Sequence, residues 1–295
     1  MPPTILTDDD LDARLSPADA VAAMERALEA YAAGDLQAPP REYVSVGDGD
    51  LVFTVGGDSE GFGFRAYQTV GAVAGSQVTC VFAPDGALRG LAVGDRAGIL
   101  RTSGIGGVAV DHLARDDATT LGLLGSWRHA RSQAEAVAAV RDLDRVQVFS
   151  PNPDHRTDCA TDLDERLDCA VEARDDPEPV VREADVLVCA TDATSPVFEA
   201  DWLQPGTHVS SLGPKEVGVS ELPADIASHV DLAVTDSLAQ ARATDEYVVD
   251  HGRLVELGDV VAGTQSGRES ADHVTLFCSV GLAGTEVALV RAALD

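Results

Sequence analysis

Apolar residues recur at helical spacing near the start of the chain and then give way to short alternating runs. Within residues 11–33 they form one stripe, made of Ala20, Val21, Met24, Ala27, Leu28 and Tyr31. This spacing predicts a helix with one buried face, and Ser16-Pro17 supplies a cap and an N1 proline. Between residues 41 and 93, apolar runs broken by glycine and aspartate predict an antiparallel meander of strands. A further helix is predicted at 105–113.

The second half of the chain alternates between predicted strands and helices. Buried strands are predicted at 119–125, 146–150, 184–191, 207–212 and 230–235. An alanine-rich helix is predicted at 131–140, between the first two strands. This alternation predicts an α/β fold with a doubly wound parallel sheet. Residues 271–294 predict one long final helix, interrupted at most near 281–284.

The composition of the chain is strongly acidic. The 295 residues suffice for two domains, and 50 acidic residues against 21 basic ones give a formal net charge of -29. The acids are spread along the chain, and Lys215 is the only lysine. We expect a halophilic protein, because cations screen the repulsion of such a surface. Nucleic-acid and anionic-membrane partners are excluded, since both require basic surfaces.

The cysteines and histidines show no metal-binding pattern. The five cysteines lack CxxC spacing and the seven histidines lack HExxH, so we expect no metal and reduced thiols. We find no signal-peptide pattern and no apolar run of membrane-spanning length, so a cytoplasmic location is expected.

A dinucleotide-binding turn is predicted after the strand at 119–125. Its candidate cofactor-binding residues are consecutive: Gly125, Ser126, Trp127, Arg128, His129 and Ala130. Gly125 and Ala130 fit the first and third positions of GxGxxG/A. Trp127 occupies the second position, where we expect it to limit the approach of the backbone to a pyrophosphate. A Rossmann-like domain that has lost its nucleotide is the alternative.

The end of the strand at 146–150 predicts the type of cofactor. An acid normally binds the ribose 2′-OH of NAD at this position, but the chain has small polar groups and an arginine, namely Ser150, Asn152 and Arg156. This favours a 2′-phosphate, so NADP(H) is the expected cofactor and NAD(H) the alternative. Arg156 as an ordinary surface arginine is the competing interpretation.

Several segments together resemble the ornithine cyclodeaminase/μ-crystallin family almost from end to end. Residues 125–133 resemble its GxGxQAxxQ turn, and residues 100–104 its RTxA segment. Residues 209–213, followed by Glu221-Leu222, resemble "INAVG…REL". The most specific match is to "LGDVVAG…GR…TLFxSVGLA", at residues 257–263, 267–268 and 275–283.

The resemblance implies a Rossmann domain at 117–271 inserted into a discontinuous α+β domain at 1–116 and 272–295. The α+β domain would bind substrate and form a homodimer. The resemblance also implies further cofactor-binding residues: Arg101, Thr102, Thr191, Asp192, Ser195, Leu212, Gly213, Ser279, Val280 and Gly281.

The family binds its substrate carboxylate with cationic side chains, and bidentate arginine suits that task. Arg41 and Arg101 match two of these positions, and Arg65 stands where the family has its active-site lysine. Arg65 keeps the charge but is a poor proton donor. Salt bridges to the many acids are the alternative role for all three.

Lys215 stands where cyclodeaminases carry an aspartate that acts as general acid–base. We expect Lys215 and Arg65 to be the catalytic residues, with the lysine delivering a proton to an imine. An exposed loop lysine is the alternative. The stretch 51–54 also lacks the carboxylate that binds ornithine's distal amine. The predicted function is therefore reduction of a small α-imino acid (a ketimine) or oxidation of an α-amino acid. Ornithine cyclodeaminase and a non-catalytic ligand-binding protein are the alternatives.

Overall fold

The computed structural model describes residues 2–70 and 77–295, so residues 71–76 of the predicted meander lie outside it. The chain forms two compact units, one of Met1–Gly104 with Gly281–Asp295 and the other of Ile105–Val280. The first unit is therefore discontinuous along the chain. The domain bounds that the resemblance implies, at 116/117 and 271/272, stay a prediction.

The helices of the first unit begin at side-chain caps. The bounds are α1 Asp8–Arg14, α2 Pro17–Ala32, α3 Arg96–Leu113 and, at the C-terminal end, α9 Thr285–Leu294. Thr7 and Ser16 each form a capping box with an aspartate three residues later. The cap predicted at Ser16-Pro17 is confirmed, and the helix that follows it ends at Ala32. The start predicted at residue 11 is wrong, because Leu15 is extended and residues 11–14 belong to a separate helix. The helix predicted at 105–113 begins earlier, at Arg96.

The antiparallel meander of the first unit is confirmed. Its strands are β1 Thr4–Leu6, β2 Glu42–Val46, β3 Gly49–Asp58, β4 Gly61–Gln68, β5 Gln77–Phe82 and β6 Leu88–Val93. They form one sheet in the order β1-β6-β5-β4-β3-β2, in which only β1 pairs in parallel. Val52, Val81 and Ala92 are buried on one face. The opposite face is also apolar but exposed, as at Ile5 and Phe62.

The second unit contains the doubly wound parallel sheet that the sequence predicts. Its main strands are β7 Thr120–Leu124, β8 Arg145–Phe149, β9 Ala170–Arg174, β10 Val186–Cys189, β11 His208–Ser211, β14 Leu232–Thr235, β15 Leu254–Glu256 and β16 Thr275–Cys278. Their order is β15-β14-β16-β11-β10-β7-β8-β9, and every pairing is parallel. A small hairpin joins β12 Lys215–Glu216 to β13 Val219–Ser220. The helices are α4 Arg128–Ala138, α5 Pro153–Asp164, α6 Pro177–Arg182, α7 Leu238–Ala241 and α8 Leu257–Val261.

The long final helix predicted at 271–294 is wrong. Thr275–Cys278 is a strand between β11 and β14 and is buried on both faces. A continuous apolar run of this kind fits a buried strand and a buried helix equally well, so its periodicity does not separate the two. Helix begins only at Thr285.

Candidate active site

The structure brings the predicted cofactor-binding residues of the second unit to one edge of its sheet. Gly125, Ser150, Thr191, Leu212 and Ser279 directly follow, or lie one residue beyond, the carboxyl ends of β7, β8, β10, β11 and β16. Because these strands are parallel neighbours, their carboxyl ends lie along the same edge. Open α/β sheets bind ligands at this edge.

The turn after β7 has the backbone that a dinucleotide-binding turn requires. Gly125 has φ 118°, and a Cβ there would lie 2.3 Å from the carbonyl oxygen of Ala190. Only glycine fits this position without displacing the neighbouring strand end. Helix α4 starts three residues later, so its N-terminus lies at the turn, and helix N-termini favour phosphate groups. These residues fit a nicotinamide dinucleotide.

Trp127 does not fill the turn. It is the N-cap residue of α4, with an extended backbone, and its relative exposure is 68%. Within the described chain, α4 has no side-chain cap at this residue. The indole lies largely in solvent, and its effect on the approach of a pyrophosphate stays a prediction.

The end of β8 is organised by the residues predicted to select the cofactor. Asn152 caps α5 by accepting from Asp154 N at 2.9 Å, and Arg156 Nη1 donates to the Ser150 carbonyl at 3.1 Å. A cavity of about 450 Å³ is lined by Arg156, Thr157, Ala173, Arg174, Asp175, Asp176 and Pro179. The sequence missed the contribution of β9, which brings a second arginine and two acids to this cavity.

The three predicted carboxylate-binding arginines come together in the first unit. A Cβ at Gly281 would lie 2.7 Å from Arg41 Nη2 and 3.0 Å from both terminal nitrogens of Arg101. Arg65 joins the group through Tyr67, because its guanidinium lies 4.5 Å from the ring centroid and Arg41 Nη1 donates to the Tyr67 hydroxyl at 3.5 Å. We call Arg41, Arg65 and Arg101 the arginine cluster.

One carboxylate is buried in the arginine cluster, and sequence reasoning missed it. Glu286 is 1% exposed, and its Oε1 accepts from Arg65 Nη1 at 3.1 Å. The same oxygen lies 3.2 Å from Arg101 Nε, an ion pair without hydrogen-bond geometry. Burial alone would raise the pKa of Glu286, but Arg101 and Arg65 hold it below its ordinary value. A lone acid in the apolar run 285–294 was the available signal, because such an acid needs a buried partner.

Lys215 is buried, so the alternative interpretation, an exposed loop lysine, is wrong. It is 5% exposed, and its Nζ donates to the carbonyls of Gly213 at 2.6 Å and Ser279 at 3.0 Å. Burial lowers the pKa of the ammonium, while the carboxylates of Glu221 and Asp236 oppose that shift. The ammonium of Lys215 thus lies among the strand ends where the predicted cofactor-binding residues lie.

The remaining predicted residues are placed less distinctively. Asp192 and Ser195 are exposed on the loop after β10. Thr102 is buried in the first unit, where its hydroxyl donates to the Gly98 carbonyl at 2.8 Å.

Fold and site together define a protein with one Rossmann-type unit and one unit that presents clustered arginines. The sequence matches the family described as "Ornithine cyclodeaminase/mu-crystallin family" over residues 2–295. The chain belongs to this family.

Relatives and solved structures of the family show similar chains. The alanine dehydrogenase of Archaeoglobus fulgidus is 29% identical over 310 residues, with 99% of this chain and 94% of the relative covered. The Delta(1)-pyrroline-2-carboxylate reductase of Bacillus cereus is 32% identical over 204 residues. That match covers 65% of this chain and only 62% of the relative.

The solved structures match over nearly the whole chain. The Thermococcus litoralis Delta(1)-pyrroline-2-carboxylate reductase, in complex with NADH and L-proline, has a TM-score of 0.88 at 26% identity, covering 98% of this chain and 96% of that one. An archaeal alanine dehydrogenase dimer with bound NAD has a TM-score of 0.89 at 26% identity, covering 99% and 95%. Among the described residues of the present chain, none of the helices has the length and apolar character needed to cross a membrane.

Proposed function

We propose that this chain is an NAD(P)(H)-dependent oxidoreductase that reduces a small α-imino acid or oxidises the corresponding α-amino acid. The observation that carries the proposal is the arginine cluster. Arg65 and Arg101 contact the buried carboxylate of Glu286, and Arg41 and Arg101 both lie at Gly281. Guanidinium groups gathered in this way suit an anionic ligand, and a substrate carboxylate can accept hydrogen bonds from more than one of them.

The residues divide the work by their chemistry. Arg41, Arg65 and Arg101 would bind and orient the carboxylate, and Arg65 keeps its proton at any physiological pH. The turn at Gly125 and the N-terminus of α4 would hold a nicotinamide dinucleotide, which when bound supplies or accepts a hydride. Lys215 would hold the proton that the imine nitrogen gains, since burial lowers the pKa of its ammonium.

Cyclisation of ornithine is disfavoured by the residues that face Arg65. On β3, Thr54 is the direct partner of Arg65 on β4, and it is 5% exposed. A distal ammonium in this region would be repelled by the guanidinium of Arg65. Lys215 also replaces the acid that the cyclodeaminase reaction needs. We therefore expect a substrate with an apolar or cyclic side chain.

The test compares two reactions of the purified protein. NADPH or NADH oxidation is followed with pyrroline-2-carboxylate, piperideine-2-carboxylate, and pyruvate plus an amine. In parallel, NAD+ and ornithine are incubated and assayed for proline and ammonia. We expect imine reduction without proline formation from ornithine. Robust proline formation from ornithine without imine reduction would overturn the proposal, and failure to bind any nicotinamide nucleotide would favour a non-catalytic binding protein.

NADP(H) is the proposed preferred cofactor. The support is Arg156 beside Ser150 at the end of β8, together with Arg174 across the same cavity. Fluorescence titration should give a lower Kd for NADPH than for NADH. Arg156→Ala should raise the NADPH Kd alone, whereas Arg166→Ala, an exposed neighbour of α5, should leave it unchanged. Tighter NADH binding by the native protein would contradict the preference.

A homodimer is proposed through the uncovered face of the first unit's sheet. This face carries exposed apolar side chains on three of the strands, namely Ile5, Val55 and Phe62, with exposures of 63%, 46% and 45%. Exposed apolar surface of this extent is typical of an interface, and a second copy offers a self-complementary apolar face. Analytical ultracentrifugation should give a dimer, and Phe62→Glu should yield monomers while Val217→Glu does not.

A halophilic, cytoplasmic setting is proposed from charge and thiols. The net charge of -29 should make thermal stability rise between low and molar KCl. An unchanged melting midpoint would contradict it. All five cysteines, each in a described part of the chain, are free thiols, as expected in a reducing compartment.

A further inference from the structure

A second buried carboxylate, Glu221, connects the loops at the carboxyl ends of two neighbouring strands. Its side chain is completely buried. Oε2 accepts from the Thr191 backbone N–H at 3.0 Å and from the Thr191 hydroxyl at 2.7 Å. Oε1 accepts from the Ser211 hydroxyl and from Gly213 N–H, both at 2.6 Å. The carboxylate therefore joins the loop after β10 to the loop after β11.

The same loop is held from its other side by Lys215. Gly213 donates its N–H to Glu221 and accepts from Lys215 Nζ through its carbonyl oxygen. Lys215 also donates to the Ser279 carbonyl, which lies beyond the end of β16. Two buried charges of opposite sign thus link three strand ends in a row, because β11 pairs with both β10 and β16.

We propose that Glu221 is a positioning residue that fixes the loops carrying Thr191 and Gly213 against the nicotinamide. This inference rests on the proposed function, because those loops contain residues expected to bind the cofactor. Glu221 touches the backbone of the loops and acts on the reaction only through them. Three of its four donors lie in two separate loops and the fourth, Ser211, ends β11, so neither loop can shift without losing hydrogen bonds.

The position requires a carboxylate rather than an amide. Each oxygen accepts one backbone N–H and one hydroxyl. In a glutamine side chain only one of the two terminal atoms accepts, so a backbone N–H of either Thr191 or Gly213 would face another donor. A buried donor without an acceptor is unfavourable, so the loop should move. A displacement of about 1 Å at a reacting group lowers a rate roughly 100-fold.

The first arm of the test needs no activity. Hydrogen exchange measured by mass spectrometry should show faster exchange in peptides containing Thr191 and Gly213 for Glu221→Gln. Peptides from β9 should be unchanged. The matched control is Glu178→Gln, an exposed glutamate paired with Arg182 on α6 of the same unit. Unchanged exchange at both loops in a folded Glu221→Gln protein would overturn the inference.

The second arm measures turnover. For Glu221→Gln we expect kcat for imine reduction to fall roughly 100-fold, with a larger isotope effect from NADPH deuterated at the transferred position. The KM of the imino acid should change less than about threefold, since the arginine cluster is untouched. Ser211→Ala removes one of the four donors and should give an intermediate loss. If Glu221→Gln does not fold, the kcat of Ser211→Ala tests the inference instead.

The outcomes separate the two claims. A native protein that reduces no imine, combined with faster loop exchange in the variant, defeats the proposed function and supports the role of Glu221 in holding the loops. A native protein that is active, with kcat and isotope effect unchanged in folded Glu221→Gln and in Ser211→Ala, overturns the inference and leaves the proposed function standing.

Discussion

The two units differ in what surrounds their buried charges. In the first unit, Arg65 and Arg101 are buried, Arg41 is half-buried, and Glu286 is the carboxylate among them. In the second unit, Lys215 lies near the buried carboxylates of Glu221 and Asp236, and its contacts are backbone carbonyls.

The comparison distinguishes buried charges that can bind a ligand from buried charges that hold loops of the protein in place. In the second unit, Glu221 and Lys215 direct their hydrogen bonds mainly to the ends of the strands. In the first unit, Glu286 Oε2 has no hydrogen-bond partner among the described residues, and Oε1 contacts both Arg65 and Arg101. Guanidiniums gathered around one carboxylate suit an additional anionic ligand, whereas charges that contact backbone atoms stabilise loops.

Lys215→Met tests whether the lysine serves chemistry as well as the framework. Proton transfer by a positioned group contributes roughly 100- to 10,000-fold, so kcat should fall at least roughly 100-fold. Burial lowers the pKa of Lys215 from 10.5, so the native rate should fall as pH rises through that lowered pKa, because the proton donor is lost. The variant should show no such fall. The exposed Arg242→Met serves as control, and an unchanged kcat would restrict Lys215 to a framework role.

Glu286→Gln removes the carboxylate that contacts Arg65 and Arg101 of the arginine cluster. Leaving two buried guanidiniums without their counterion should cost about 3 kcal/mol. The corresponding fall in Tm is roughly 6 to 12 °C, measured by calorimetry. Glu60→Gln removes an exposed partner of Arg291 and should change Tm by less than about 2 °C. Equal Tm values for the two variants would show that the cluster does not depend on Glu286.

Arg41→Gln removes one cation of the cluster without touching Glu286. A hydrogen bond to a charged group contributes about 1.5 to 3 kcal/mol, so KM for the imino acid should rise roughly 10- to 100-fold. Steady-state kinetics check this, with the exposed Arg26→Gln as control. A KM within twofold of the native value would remove Arg41 from the substrate site.

His208 is a buried side chain of the second unit that could become charged at low pH. Its two ring nitrogens form hydrogen bonds with the hydroxyls of Thr275 and Ser210. Burial, together with the nearby charges of Arg268 and Arg141, lowers the pKa of His208 to about 3. Below pH 6.5 the unfolded state binds a proton that the native state does not. Stability should therefore fall by about 1.4 kcal/mol per pH unit from 6.5 toward 3. The urea midpoint should change less between pH 7 and pH 5.5 in His208→Gln than in the native protein. An equal change in the two proteins would contradict this.

Much of the fold follows from pattern alone, because the meander and the alternating strands bury side chains with clear periods. The strand Thr275–Cys278 was not predicted, because all four of its residues are buried and their burial has no period to detect. The cap at Ser16-Pro17 was predicted, whereas the break at Leu15 was not, because Leu11 and Leu15 keep the apolar spacing of a helix.

The sequence predicted those site residues whose type indicates the ligand they bind. It did not predict those whose role depends on other residues of the protein that contact them. Arg41, Arg65 and Arg101 were predicted to bind an anion, and the fold brings them together. Glu286 carries only the signal of a lone acid in an apolar run, and Glu221 carries none, because the donors that contact these carboxylates lie far away in sequence, such as Arg65 and Thr191. Only the folded chain shows those donors.

The most direct test of the proposed function follows the deuterium atom that the cofactor transfers to the substrate. The protein is mixed with pyrroline-2-carboxylate and NADPH carrying deuterium at the transferred position of the nicotinamide, and the product is examined by NMR and mass spectrometry. The account predicts proline with one deuterium on its α-carbon and an equal amount of oxidised cofactor. Proline without deuterium, or no proline from a protein that binds the cofactor, would contradict it.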